Sequence, residues 1–203
     1  MSKVVAITGA GGFIGKYLVR FFKQQGFIVY EVHRNDFFST STLSNKINDA
    51  DYVINLAGKS VFTRWTSKNK KAILNSRIST TKKIVEVLNG KKKPVHLLNA
   101  SAIGIYSYKQ VHDEESKDYA GNFLTDMVLA WEQEAEKLQY DQLTIMRFSV
   151  VLGREGGAFK TLRMFNKLRI GNYFGDGKQP FPFIHIYDLA CAVLYLMNHQ
   201  IKS

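Results

Sequence analysis

A single cysteine, Cys191, stands in the 203 residues, so no disulfide can form within the chain. A reducing, cytoplasmic setting is the simplest expectation from that. No apolar run approaches the length of about 18 residues that a membrane span needs, and no charged-then-apolar leader precedes Val4. Neither a span nor a signal peptide is expected. The 5 histidines show no metal-ligand spacing, and with one cysteine a zinc site is disfavoured. There is no G-x-S-x-G nucleophile elbow, no internal repeat and no low-complexity tract. Proline is scarce, with 3 in all, and only Pro180–Pro182 with Gly171, Gly175 and Gly177 makes a Gly/Pro-rich stretch. It reads as a long functional loop and not a linker. Acidic residues are outnumbered, 17 against 28 lysines and arginines, for a net charge of +11. Such a balance can serve nucleic acid, an anionic membrane or a phosphorylated ligand. The local runs Lys68–Lys71 and Lys91–Lys93 have no aromatic interleaving and no nucleic-acid motif, so nucleic acid is disfavoured and solvated surface lysine favoured.

What is present is a sizeable apolar content, 45%, in a length that suits one domain or one and a fraction. Strands and helices alternate. Val4–Thr8 is a short apolar run; Phe13 to Gln25 follows with Ile14, Tyr17, Leu18, Phe21 and Phe22 on one helical face, closed by Gly26. Ile28–His33, Asp51–Leu56, Val95–Ala100 and Leu143–Phe148 read as further strands. Thr66 is placed to cap a helix running to about Leu88, and Phe123–Leu138, Phe159–Leu168 and Tyr187–Met197 are also read as helical. Strands with few charges, separated by helices, imply an α/β fold: a doubly wound, mostly parallel sheet with helices on both faces.

Between the first strand and the first helix lies Thr8-Gly9-Ala10-Gly11-Gly12-Phe13-Ile14-Gly15. A glycine at a strand end permits a tight turn, one at the helix start lets the backbone approach a pyrophosphate, and Gly15 lets the helix lie close to the sheet. Helix amides and dipole then hold the negative charge. The position between a buried strand and an amphipathic helix makes this pattern specific for a dinucleotide. The tip of the second strand selects which one. An acid there favours NAD; a cation accommodates the 2′-phosphate of NADP. The tip is His33-Arg34, so NADP is favoured through a two-point contact from Arg34. The competing reading makes Arg34 a surface residue and Asp36 the ribose contact, with NAD as cofactor.

These residues resemble the extended short-chain dehydrogenase/reductases, and within them the epimerase-like branch (NAD-dependent epimerase/dehydratase, cell-division-inhibitor-like). The segments carrying the likeness are Ile7–Gly15, Asp51–Gly58, Arg64–Thr66, Ser76–Thr81, Asn99–Tyr106, Trp131–Glu132, Arg147–Ala158 and Pro180–Leu189, in order through nearly the whole chain. The resemblance implies a Rossmann-type fold and cofactor contacts from Gly9, Gly12, Phe13, Ile14, Arg34, Leu56, Ala57 and Arg77. For Arg77 two readings stand level: a reach to phosphate, or a pair with a nearby acid.

Typical members of that superfamily use Tyr-x-x-x-Lys with a serine or threonine, the lysine charge lowering the tyrosine pKa. No such pair occurs in the matching helix, where Phe123 and Met127 stand in the two places. Substitutes are Ser101 at the end of a strand, to polarise a substrate oxygen, and Glu132, as a base if it faces the cleft. The plainer readings are a capping serine and a solvated glutamate. Tyr106 is an acid or a packing residue, and His185 and Asp188 fall on the substrate side. Residues 1–153 are expected to form the NADP-binding domain. Residues 154–203 would form a partial substrate-side region and a last helix, the C-terminal part of the family being apparently absent. The expected function is an NADP-dependent oxidoreductase or epimerase-like enzyme acting on a small carbonyl or sugar-nucleotide-type substrate. The alternative is a non-catalytic NADP-binding or sensing protein.

Overall fold

The computed structural model describes residues 2–91, 93–108, 110–139, 142–167, 177 and 180–199. Five strands form a wholly parallel sheet: β1 (Val4–Thr8), β2 (Ile28–Val32), β3 (Tyr52–Asn55), β4 (His96–Ala102) and β5 (Gln142–Phe148), in the order β2-β1-β3-β4-β5. The helices are α1 (Phe13–Gln24), α2 (Thr40–Ile47), α3 (Ser67–Asn89), α4 (Phe123–Ala135), α5 (Gly157–Lys167) and α6 (Ile186–Asn198).

Period-2 alternation sorts the apolar strand residues onto two faces. Val5 and Ile7 of β1, Tyr52 and Ile54 of β3, and Leu98 of β4 pack with Leu18 and Phe22 of α1 and Leu189 and Val193 of α6. Ala6, Val53 and Leu97 point the other way, against Leu43 and Ile47 of α2 and Ile84 and Leu88 of α3. Each fully buried side chain of this size contributes about 1.5–3 kcal/mol. The doubly wound, helix-covered sheet follows from the apolar runs.

The chain passes from β1 outward to β2 and then crosses to β3 on the opposite side. Such a reversal opens a crevice at the carboxyl ends of the strands. Thr8-Gly9, Val32-His33, Asn55-Leu56 and Ser101-Ala102 all end there.

Four elements were not legible from the sequence. The turn Arg34–Phe38 and helix α2 are rich in Ser, Thr and Asn, and only Leu43 and Ile47 of α2 are buried, so the apolar signal is two residues long. Strands β6 (Val150–Gly153) and β7 (Phe183–His185) pair in a separate two-stranded parallel sheet. They are short and lie far apart in sequence, which hides the pairing. Helix α4 stops at Ala135, short of the expected Leu138, and α5 is described to Lys167, since Leu168 lies outside the described residues. So do Gly171 and Gly175 of the Gly/Pro-rich stretch.

Candidate functional site

The glycine turn is built by close backbone contact. Gly9 has φ +66°, and a Cβ there would stand 2.7 Å from the Leu56 carbonyl oxygen and 3.2 Å from the Ala57 amide nitrogen. Leu56 and Ala57 therefore pass against the turn itself. The Gly12 amide donates to the Gly9 carbonyl at 2.9 Å. A Cβ on Gly15 would run into that same carbonyl and would lie 2.8 Å from Ala10 Cα. Gly12 caps α1 with extended backbone and no side-chain hydrogen bond, and both Gly11 and Gly12 are exposed. The opening amides of α1, those of Phe13 and Ile14 among them, thus stand at the positive end of a helix with no side-chain cap, an arrangement that can hold an anion.

Arg34 opens the turn after β2 and is exposed at the crevice rim. His33 lies beside the glycine turn, with Nδ1 3.7 Å from where a Gly11 Cβ would be. Asp36 turns inward. Its Oδ2 accepts from the His33 amide at 2.7 Å and from Lys46 Nζ at 2.8 Å. Burial alone would raise this carboxyl, but the Lys46 ammonium and the His33 amide hold it below its ordinary value. Glu31 is also paired, accepting from Lys23 Nζ at 2.9 Å.

Beneath the crevice a buried polar ladder ties the strand ends together. Thr8 Oγ1 donates to Asn55 Oδ1 at 2.7 Å, and Asn55 Nδ2 donates to Asn99 Oδ1 at 2.7 Å and to Thr81 Oγ1 at 2.9 Å. Trp131 Nε1 donates to the same Thr81 oxygen at 2.9 Å. Thr8, Asn55, Thr81 and Asn99 are all fully buried, so each bond is needed to offset desolvation. Arg77 lies on α3 above this ladder. It pairs with no acid among the described residues; it donates to the carbonyls of Lys59 at 2.9 Å and Ile73 at 3.2 Å, and its guanidinium lies 5.1 Å from the Trp131 ring centre. Burial pushes it down to about 10. Its Nε is buried without a partner, and its head lies against Gly58, where a Cβ would be 3.1 Å from Cζ.

At the other end of the crevice, Ser101 and Glu132 meet. Ser101 Oγ donates to Glu132 Oε1, and Arg147 of β5 grips the same carboxylate, Nε to Oε1 at 2.9 Å and Nη2 to Oε2 at 2.8 Å. Glu132 is 5% exposed, so it is not the solvated glutamate of the plainer reading. The hydrogen bonds to Glu132 raise Arg147 above its ordinary value, against the effect of burial. Arg147 Nη1 also donates to the Tyr106 hydroxyl at 2.6 Å, and Tyr106 stacks on His112 with ring centres 5.0 Å apart. A cavity of about 1050 Å³ opens against this group, lined by Ile103, Tyr106, His112, Glu132, Ile145 and Arg147, with Pro180 and Pro182 from the Gly/Pro-rich stretch. Phe123 and Met127 do not line it; Met127 is 2% exposed in an apolar cluster with Ile73, Ile105 and Val128. His185 is exposed and caps α6, its Nδ1 accepting from the Tyr187 amide at 3.3 Å. Asp188 follows in the first turn of that helix. Among the described residues no cluster of ligating side chains suits a metal ion, and no helix is long and apolar enough to cross a membrane.

Residues 5–203 match the profile of the NAD dependent epimerase/dehydratase family. The chain is a member of that family. An epimerase family protein of Staphylococcus aureus (strain N315) is 35% identical over 224 residues, covering 99% of this chain and 73% of the relative. One from Staphylococcus haemolyticus is 32% identical over 213 residues, covering 97% and 71%. Among solved structures, a human epimerase family protein crystallised with NADPH superposes with a TM-score of 0.85 at 27% identity, covering 96% of this chain and 70% of that one. A nucleoside-diphosphate sugar epimerase from Corynebacterium glutamicum gives 0.84 at 26%, covering 100% and 45%.

As an epimerase/dehydratase-family protein, the chain has its glycine turn intact and no tyrosine–lysine pair on α4. Several site residues escaped the reading of sequence. Arg147 was one, although an arginine within an otherwise apolar strand was a signal. Asn55 and Asn99, amides inside apolar runs, carried the same kind of signal.

Proposed function

We propose that this family member binds NADP(H) across the Gly9–Gly15 turn. We propose further that it acts as an oxidoreductase or epimerase-like enzyme on a small carbonyl or carbinol compound held in the cavity beside β4 and β5. One observation carries the cofactor choice: Arg34 is exposed at the rim while Asp36, the acid that NAD would need, is taken up by His33 and Lys46. The human relative crystallised with NADPH supports the same choice. The residues present fit such a group, because the exposed Gly11 and Gly12 put no side chain over the opening amides of α1, where a diphosphate would rest.

The nicotinamide would supply or accept a hydride. On the protein side, the diphosphate would rest on the opening amides of α1, with Leu56 and Ala57 beneath the adenosine half and Arg34 at the 2′-phosphate. Arg77, with its unpartnered Nε, is the second cation within reach of phosphate. Ser101 would relay the proton. Ser101 is 4% exposed and stands behind Glu132, which lines the cavity, so a substrate hydroxyl would have to reach in beside Glu132 to pass its proton to Ser101 Oγ as the serine's own proton passes to the carboxylate. Reduction runs the same path backwards. Arg147 holds Glu132 in place for that exchange.

NADPH binding followed by fluorescence, then loss of NADPH absorbance over a carbonyl panel, tests the proposal. Ser101→Ala should keep NADPH affinity within about twofold and lower turnover about 100-fold, the smaller end of general acid–base contributions. Binding without turnover across the panel would favour the sensing reading, to which the apolar pair Phe123 and Met127 on α4 lends support.

A further inference from the structure

Phe13 contributes one of the opening amides of α1, yet its side chain leaves the crevice and enters a seat made of glycines from the C-terminal part of the chain. Gly153 and Gly156 pair across a tight turn, with Gly157 next to them. A Cβ would lie 2.8 Å from Phe13 Cζ if placed on Gly153, 2.6 Å from Cδ2 if placed on Gly156, and 2.9 Å from Cε1 if placed on Gly157. No larger residue leaves room for the ring. Two turns of α1 further along the same face, Arg20 donates to Glu155 at the tip of the 153–157 turn at 2.5 Å. The 153–157 turn is therefore clasped to α1 at two points, one being the residue that opens the helix.

We infer that Phe13 is a positioning residue: through its glycine seat, the 153–157 turn sets the placement of the diphosphate-binding amides and so the affinity for nucleotide. This rests on the function proposed above. A packed ring transmits displacement because the interior has no slack to absorb it.

The test is a cycle of Gly156→Ala and Phe13→Ala, read by NADPH titration, by titration of adenosine 2′-phosphate, and by the amide resonances of Gly11–Gly15 without nucleotide. Gly156→Ala should weaken NADPH about tenfold, the scale of a modest overpacking penalty. Adenosine 2′-phosphate, which carries only the phosphate assigned to Arg34, should bind as before, and the Gly11–Gly15 resonances should move. In the Phe13→Ala background the added methyl meets no ring, so the double variant should bind NADPH no worse than Phe13→Ala alone. Unchanged NADPH affinity in Gly156→Ala, additive losses, or a parallel loss of adenosine 2′-phosphate would each overturn the inference. If Gly156→Ala does not fold, Phe13→Leu replaces it, and NADPH affinity equal to that of the unmodified protein counts against the seat. Should the unmodified protein bind no NADPH, the proposed function falls. The clasp is then judged by the Gly11–Gly15 resonances, which must respond to Gly156→Ala only while Phe13 is present.

Discussion

Removing the Arg34 side chain should separate NADPH from NADH. A hydrogen bond between a guanidinium and a phosphate is worth about 1.5–3 kcal/mol. Arg34 is exposed, so water and salt compete for it, and the lower half of that range applies. Arg34→Ala should therefore weaken NADPH by about tenfold to thirtyfold. NADH has no 2′-phosphate and should change by no more than about twofold. The NADPH loss should also shrink as ionic strength rises, since an exposed ion contact is screened over about 8 Å at physiological salt. Fluorescence titration of both nucleotides at two salt concentrations measures all of this. The counterpart is Asp36→Asn. It removes the charge that pairs with Lys46 and should lower stability while leaving the NADPH-to-NADH ratio within about twofold. Equal losses for both nucleotides in Arg34→Ala, or a selective loss of NADH in Asp36→Asn, would show that the acid and not the cation reads the ribose.

Other outcomes follow from the packing. Gly15→Ala drives a methyl into the Gly9 carbonyl and should both lower the melting temperature and abolish measurable NADPH binding; a variant that binds normally would show the helix can stand off the turn. His96 opens β4 and is buried, with its Nε2 2.8 Å from Thr144 Oγ1 on β5, and burial pushes it from 6.5 to about 4. The unfolded chain thus binds this proton more readily. The stability His96 contributes is intact above pH 6.5 and is lost as pH falls toward 4, by about 3 kcal/mol in full. Urea unfolding across that window should be less pH-dependent in His96→Gln; identical slopes would contradict the assignment.

The doubly wound sheet and the glycine turn were legible because each depends on a local backbone rule. Buried parallel strands must be apolar, and Gly9 must adopt positive φ beneath Leu56. The position of Arg34 was legible for a similar reason, since it follows directly on the end of β2. Asp36 was not, because its role depends on Lys46, ten residues on in a helix whose apolar face is only Leu43 and Ile47. Glu132 was ambiguous for a different reason. On a helix that also carries Glu134 and is C-capped by Glu136, periodicity cannot tell a carboxylate facing Ser101 and Arg147 from one facing water, and both partners come from distant strands. The seat for Phe13 shows as a glycine-rich segment at 153–157, but nothing in a single sequence says which ring fills it.

The missing tyrosine–lysine pair takes on physical sense once α4 is seen in place. Met127 is 2% exposed among Ile73, Ile105 and Val128. A lysine there would carry its ammonium toward the apolar cluster of Ile73, Ile105 and Val128, at a cost of several kcal/mol unless a carboxylate met it. The cation near the cavity comes instead from β5, as Arg147, and its counter-charge from α4, as Glu132, little more than a turn beyond the closed position. Ser101 and Tyr106 both hydrogen-bond to that pair, one through the carboxylate and one through the guanidinium. Under the proposed function, this ion pair, which lines the cavity together with Tyr106 and holds Ser101 behind it, would supply a proton donor, a proton acceptor and a fixed charge without a lysine. The reading of this chain as a catalyst therefore depends on the ends of β4 and β5, and not on the helix face that the commoner motif would use.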